Sequence, residues 1–166
     1  MKNQRLASEI LAEVDRFLQQ QKSIMIAVKD TAGEPLASYA PFARVGESLY
    51  ILVSELAKHT QALFVSDVAS VLLVADEAAT EQIYARQRLQ YEMSVSPVVR
   101  GSDSWQLAFS ALAERHGEIV EQLGQLADFH MFALTPLSGR YVKGFGRAYE
   151  LSQHSLVGKD LDHLTR

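Results

Sequence analysis

Histidines, basic side chains and one aspartate are the groups in this chain that could do chemistry. The sequence holds five histidines (His59, His116, His130, His154 and His163) and no cysteine. Without thiols, a cysteine nucleophile, a thiolate-bound metal and a disulfide framework are all excluded. The sequence also has no HExxH, no Walker phosphate loop and no GxSxG elbow. Gly144-Phe145-Gly146 looks like the start of a dinucleotide fingerprint, but no glycine lies three residues on and no helical pattern follows.

The histidines differ in what their neighbours allow. His116 precedes Gly117 at the end of a helical pattern, where the helix dipole favours a cation, so its role is structural. His130 is flanked by Phe129, Met131 and Phe132, which suits packing with one hydrogen bond. His59 follows Lys58 in a short helical run. It is either part of an anion site or an exposed imidazole titrating near neutrality. His154 and His163 lie on a polar tail, where a histidine is ordinarily solvated. Neutral imidazole is nevertheless the common axial ligand of haem, and with no cysteine it is the obvious one available here.

Asp128 immediately precedes an apolar run. It is either a turn residue or the acceptor that orients a metal-bound histidine and raises its basicity. Arg86 and Arg88 are expected as same-face neighbours on a strand, able to grip a carboxylate or phosphate bidentately or to pair with acids such as Glu92. Tyr141 to Tyr149 is expected as one strand. Lys143 and Arg147 then stand among aromatics on one face, with Val142, Gly144, Gly146 and Ala148 on the other. Glycines in a strand mark a bend or a close approach of a ligand, and both readings fit here.

These groups need a scaffold. Leu6, Ile10, Val14, Phe17 and Leu18 follow the helical period and predict an opening helix ending near Gln21, with Ser8 as a possible cap. Ser23 to Asp30, Pro35 to Arg44 and Ser48 to Val53 predict a three-strand meander, with Pro41 at an edge or bulge. A short helix capped by Ser54 carries Lys58 and His59. Val68 to Ala75 predicts a buried strand, and Tyr84 to Val95 a long, half-wet one. From Ser102 the period turns helical, ending at His116-Gly117, with a second helix over Glu118 to Leu126. Phe129 to Leu134 returns to strand, and Thr135 to Gly139 is expected to turn back into the glycine stretch. The sum is an α+β fold: a six- to seven-stranded antiparallel split β-barrel with peripheral helices. Residues 1–152 form the barrel domain and 153–166 a C-terminal tail able to contact a ligand.

A chain of 166 residues can bury a core without disulfides, and its net charge of −4 argues against general attraction to nucleic acid or an anionic membrane. No apolar run reaches the length of a membrane span and no signal-peptide pattern opens the sequence, so a cytoplasmic location is expected. The basic residues Lys58, Arg86, Arg88, Arg140, Lys143 and Arg147 recur at strands or strand ends, which suits a local anion site on an acidic protein.

Five segments together carry a resemblance. They are SYAPF (38–42), SELAKHTQAL (54–63), YARQRL (84–89), ERHGEIVEQLGQLADF (114–129) and KGFGRAYELS (143–152). In this order and spacing, from about Arg5 to Leu156, the chain resembles the HugZ/HutZ haem-utilisation family, within the pyridoxamine 5'-phosphate oxidase-like FMN-binding split β-barrel superfamily. The resemblance implies a homodimer with its ligand site between subunits, haem as ligand, and in some members oxidative cleavage of the ring to release iron with an external electron donor.

The same resemblance matches Asp128 to an aspartate that hydrogen-bonds the partner's axial histidine, and His59 and Arg88 to site residues. Arg88, Lys58 or Lys143 would meet the haem propionates, beside a wall containing Gly144. In the family the axial histidine follows a glycine near the end of a longer tail. Here an ungapped match puts Arg166 at that position, so His163, after Asp162, serves as the iron ligand with a short gap, and His154 is the alternative. The fold's commoner ligand, FMN, held by Lys58, Arg86 or Arg88, is the competing reading. Non-catalytic haem storage or delivery is a third.

Overall fold

The computed structural model describes residues 3–164. Helix α1 (Gln4–Gln20) is capped by Asn3, whose side chain accepts from Leu6 N at 3.1 Å. Ser8 therefore lies inside the helix, its hydroxyl donating to Gln4 O, rather than capping it. Ile10, Val14, Phe17 and Leu18 are buried, the helical stripe read from the sequence.

Strands β1 (Ser23–Lys29) and β2 (Pro35–Pro41) form the first hairpin, in register from Ser23↔Pro41 to Lys29↔Pro35. Asp30 builds its turn by accepting from the backbone N–H groups of Ala32 and Glu34. Pro41 ends β2 at the sheet edge, where a missing donor costs no ladder bond. Two short elements follow, β3 (Ala43–Val45) and β4 (Ser48–Ser54), paired to each other. Helix α2 (Lys58–Val65) starts later than expected. Its N-cap is Ala57, and the Ser54 hydroxyl instead accepts from Leu56 N to close the preceding turn.

The remaining elements are β5 (Val68–Val74), β6 (Arg88–Val98), α3 (Asp103–His116), α4 (Glu118–Gly124), β7 (Phe129–Gly144), β8 (Arg147–Leu151) and β9 (Leu161–Leu164). Ser102 caps α3 through Trp105 N, and Gly117, with φ +85°, ends it. The ladders are antiparallel along the path β2-β1-β5-β6-β7-β4-β3, with β8 on β7 and β9 on β8. This is the expected α+β split barrel with peripheral helices: seven strands on the path, and two more closing its far side.

Strand β7 positions everything else. Along one edge it pairs β6 from Val142 to Met131; along the other it pairs β4 with its first half and β8 with its last. The turn expected at Thr135 to Gly139 does not form. The chain runs straight on, and a register shift opposite Glu92 and Met93 leaves Leu137 outside the ladder, accommodating Pro136. The free Leu137 carbonyl accepts from His154 N.

The core follows the strand alternation. Ile24, Ile26, Val71, Leu89, Tyr91, Phe132 and Tyr141 point inward, joined by the α1 stripe and by Leu156 and Leu161 of the tail. A second cluster packs Trp105, Ala108, Leu112 and Val120 against Ala43 and Met131. The outward residues of β1, β5 and β6 leave one sheet face uncovered in the single chain; Met25 there is half exposed.

Two local readings are corrected. Tyr84 to Arg86 are not strand: Ile83–Ala85 form a 3-10 turn capped by the Gln82 side chain, and β6 begins at Arg88. The Tyr141 to Tyr149 stretch is not one strand but a hairpin, reversing at Phe145-Gly146, with Gly146 at φ +65°. Tyr141 and Tyr149 still share a face, as cross-strand partners with rings 6.5 Å apart. Among the described residues, no helix is long and apolar enough to cross a membrane.

Candidate functional site

The uncovered face of β2, β1, β5 and β6 contains a groove of about 470 Å³ floored by Met25, Ala27, Ala37 and Leu72. Period-2 alternation produces it. The residues that bury Ile24, Ile26, Val71 and Leu89 inside the barrel turn their neighbours outward. Ser38 and Arg88 supply its polar rim.

His59 reaches this rim from the first turn of α2. Its Nδ1 is hydrogen-bonded to the Ser38 hydroxyl, while its Nε2 is buried with no partner among the described residues. Burial lowers its pKa below the ordinary 6.5, so the ring is neutral at neutral pH. A buried imidazole nitrogen without a partner is a group that a ligand or water would satisfy.

Arg88 lines the groove and steadies itself by donating to Arg86 O at 2.9 Å. Arg86 does not join it. Its Nε donates to Ala75 O at 2.5 Å and its Nη1 pairs with Glu77 at 3.3 Å, tying two stretches of its own chain. The expected arginine pair is therefore one rim cation and one strut, because Arg86 is the C-cap of the 3-10 turn and lies before β6, which begins at Arg88. Lys58 is exposed at the start of α2, next to His59.

Lys143 and Gly144 sit elsewhere, beside a pocket of about 370 Å³ that also includes Gln87 and Arg147. Lys143 is ion-paired to Glu13 of α1. Tyr141 completes that network: its hydroxyl lies 3.3 Å from Glu13 and accepts from Gln87 Nε2 at 2.8 Å. Burial, with the Glu13 carboxylate adding to it, pushes the Tyr141 phenol up to about 12. Lys143 is thus a link between β7 and α1. A Cβ added at Gly144 would meet Arg147 Nη2 at 3.0 Å, so an arginine side chain covers this glycine.

Asp128 stands at the start of β7. Its carbonyl accepts from Glu55 N at 2.7 Å, and the residue is partly buried. His130, two residues on, bonds Glu55 Oε2 at 3.3 Å and meets the Phe64 ring edge-on. His116 bonds Phe42 O at 2.8 Å at the end of α3, the structural role read for it.

His163 lies on β9 opposite Tyr149, its ring stacked on that tyrosine with centroids 5.1 Å apart. Its Nε2 is 2.9 Å from Gly146 O. A carbonyl only accepts, so Nε2 carries the proton in this arrangement and Nδ1 holds the lone pair. His154 is exposed, with φ +58°, and is held by its backbone N–H rather than its ring. Arg166 lies outside the described residues.

Asp128 and His163 stand far apart along β7. Asp128 precedes its first residue, and His163 pairs with Tyr149 of β8, itself opposite Tyr141 of β7, 13 residues along. At ~3.3 Å per residue that path along the strand is about 43 Å. Within one chain the two side chains are not brought together; Asp128 lies instead near the α2 end that carries Lys58 and His59, through Glu55.

Residues 10–143 match the family described as pyridoxamine 5'-phosphate oxidase. Over 164 residues the chain is 38% identical to heme oxygenase HutZ of Vibrio cholerae serotype O1, covering 99% of this chain and 92% of the relative. It belongs to the HugZ/HutZ-type branch of the pyridoxamine 5'-phosphate oxidase-like split-barrel superfamily. Among solved structures, Vibrio cholerae HutZ, there described as a heme storage protein, superposes with a TM-score of 0.73 at 37% identity over 75% of this chain and 88% of that one. Campylobacter jejuni ChuZ gives 0.81 at 26% identity, over 96% of this chain and 66% of that one.

Sequence reasoning did not assign Ser38 to the site. It was within reach, since it opens the SYAPF segment (38–42) that carries part of the resemblance.

Proposed function

We propose that this chain binds haem in haem utilisation, as a cytoplasmic homodimer, and degrades the ring oxidatively at a site shared between two copies. The observation that carries this is the division of its candidate ligands. The chain is HutZ-like from end to end, yet its acceptor Asp128 and its ligand His163 stand at opposite ends of β7. A second copy laid across the uncovered face of β1, β2, β5 and β6 would bring one copy's Asp128 to the other's His163.

The residues present fit haem. An apolar floor suits a porphyrin ring, Arg88 on the groove and the exposed Lys58 at the start of α2 supply cations for propionates, and His59, bonded to the rim residue Ser38, keeps a buried Nε2 without a partner among the described residues. Haem, when bound, supplies an iron that takes up O₂ and electrons from an external donor for attack on the porphyrin itself. The chain's own contribution is to bind and orient. His163 would give up its bond to Gly146 O to hold the iron, and Asp128 of the partner subunit would accept a hydrogen bond from the other ring nitrogen, fixing the tautomer and raising its basicity. His59, kept neutral by burial, can donate or accept one hydrogen bond beside the ligand without adding charge.

Titrating the purified chain with haemin tests this. A sharp Soret band that is lost in His163→Ala is expected; a band unchanged in that variant overturns the ligand assignment. A flavin spectrum in the protein as isolated would favour FMN and contradict the haem reading. Adding reductant and air in the presence of catalase separates an oxygenase, whose Soret band decays, from a store, whose band persists.

A further inference from the structure

Arg100, just beyond β6, sends its guanidinium to the turn that ends α4. Nη1 donates to Gly124 O at 2.5 Å, and Nη2 donates to Leu126 O at 3.1 Å and to Phe129 O at 2.7 Å. The cation lies over the Trp105 ring, its Cζ 4.4 Å from the centroid, and Trp105 is itself buried. Helix capping accounts for the first bond, since Gly124 ends α4 and the last carbonyls of a helix need donors; the second, to Leu126 O, continues into the turn beyond the C-cap Gln125. Capping does not account for the third. Phe129 is already the first residue of β7, paired with Ser54, and the bond to it carries the clamp past Ala127 and Asp128.

From the other side, Glu55 N holds the Asp128 carbonyl at 2.7 Å. The backbone on both flanks of Asp128 is thus fixed, while the carboxylate of this partly buried residue takes part in none of these bonds. A planar fork with several donors can bridge carbonyls this way; the single ammonium of lysine cannot hold the same set of directions.

We propose that Arg100 is the positioning residue for Asp128, setting the direction in which that carboxylate reaches the axial histidine of a second copy. The inference rests on the haem reading above. Arg100 touches neither ligand nor reacting atoms, and its effect passes through Asp128.

The test compares D128N, R100M, R100K and D128N/R100M as ferrous haem complexes of the full chain. The readout is the iron–histidine stretching frequency in resonance Raman, which reports how strongly the far ring nitrogen of the axial histidine is hydrogen-bonded. D128N lowers the frequency, R100M shifts it the same way, R100K does not rescue it, and the double variant moves no further than D128N alone. In the ligand-free protein, amides 127–129 of R100M exchange about tenfold faster than in the parent. A wild-type frequency in R100M alongside a shifted D128N overturns this inference alone and leaves Arg100 a helix cap. A wild-type frequency in D128N overturns the Asp128 reading and this inference with it. Should R100M not fold, R100K carries the test with the same outcomes.

Discussion

At one end of β7, Asp128 leaves the α4 turn with Arg100 bridging carbonyls on both sides of it and Glu55 N bound to its own. At the other end, His163 sits on a four-residue edge strand, and among the described residues its ring has one hydrogen bond, to Gly146 O. Asp128 is built into the barrel; His163 is laid against it. Under the proposed haem reading, such a division would suit a histidine that exchanges a carbonyl for a metal and an aspartate that already points correctly.

The tail is nevertheless not loose. Leu156 is fully buried, its N–H donates to Glu47 at 2.8 Å, and its carbonyl accepts from the Tyr91 hydroxyl at 2.5 Å. These anchors lie seven residues before His163, so they fix where the tail starts and leave His163 to β9. Burial pushes the Tyr91 phenol far above its ordinary pKa, so it remains a donor throughout the working pH range.

The largest effect that would break this contrast is Leu156→Ala. Emptying a fully buried leucine site costs about 2–5 kcal/mol, measured by denaturant unfolding. The tail should lose amide protection before the Asp128 turn does. Equal loss at both ends would mean that the tail is as integral as the barrel. Tyr91→Phe is the finer version. It strips the buried Leu156 carbonyl of its donor at a cost of about 1–2 kcal/mol. Hydrogen exchange should quicken over residues 156–164 and stay unchanged over 126–130.

The smallest effect comes from pH and belongs to the fixed end. His59 has a folded pKa below its ordinary 6.5 because burial disfavours the cation. Above 6.5 both folded and unfolded forms are neutral and stability is complete. As pH falls below 6.5 the unfolded chain takes the proton first, and stability drops until the folded pKa is passed. His59→Gln should flatten this part of the stability–pH curve. A slope unchanged in that variant would place the titration elsewhere.

Much of the scaffold was legible because it depends on local pattern. Alternation gave the inward faces of β1 and β6, the apolar stripe gave α1, and Ser102 with Gly117 bracketed α3. What escaped depends on partners. Arg86 looked like a strand neighbour of Arg88 until Gln82 capped a 3-10 turn before β6. The glycine stretch read as a strand because nothing within it says that Gly144 pairs with Arg147 across a reversal. Pro136 looked like a stop, and only the register shift against β6 lets β7 run through it. At the site, residue types named Asp128, His59, Arg88 and His163, but not their separation, which pairing across the sheet decides. Nor could they show that Lys143 and Arg86 are already engaged.

The central claim is that the ligand set is completed by two chains, and a mixed dimer tests it directly. D128A and H163A chains, co-expressed with different tags and purified through both, form a dimer in which a shared site is intact once: Asp128 from one chain and His163 from the other. The account predicts about one haem per mixed dimer with the wild-type Soret band and iron–histidine frequency, although neither parent dimer shows both. A mixed dimer whose spectra are only the sum of its parents, or no dimer at all, would contradict it.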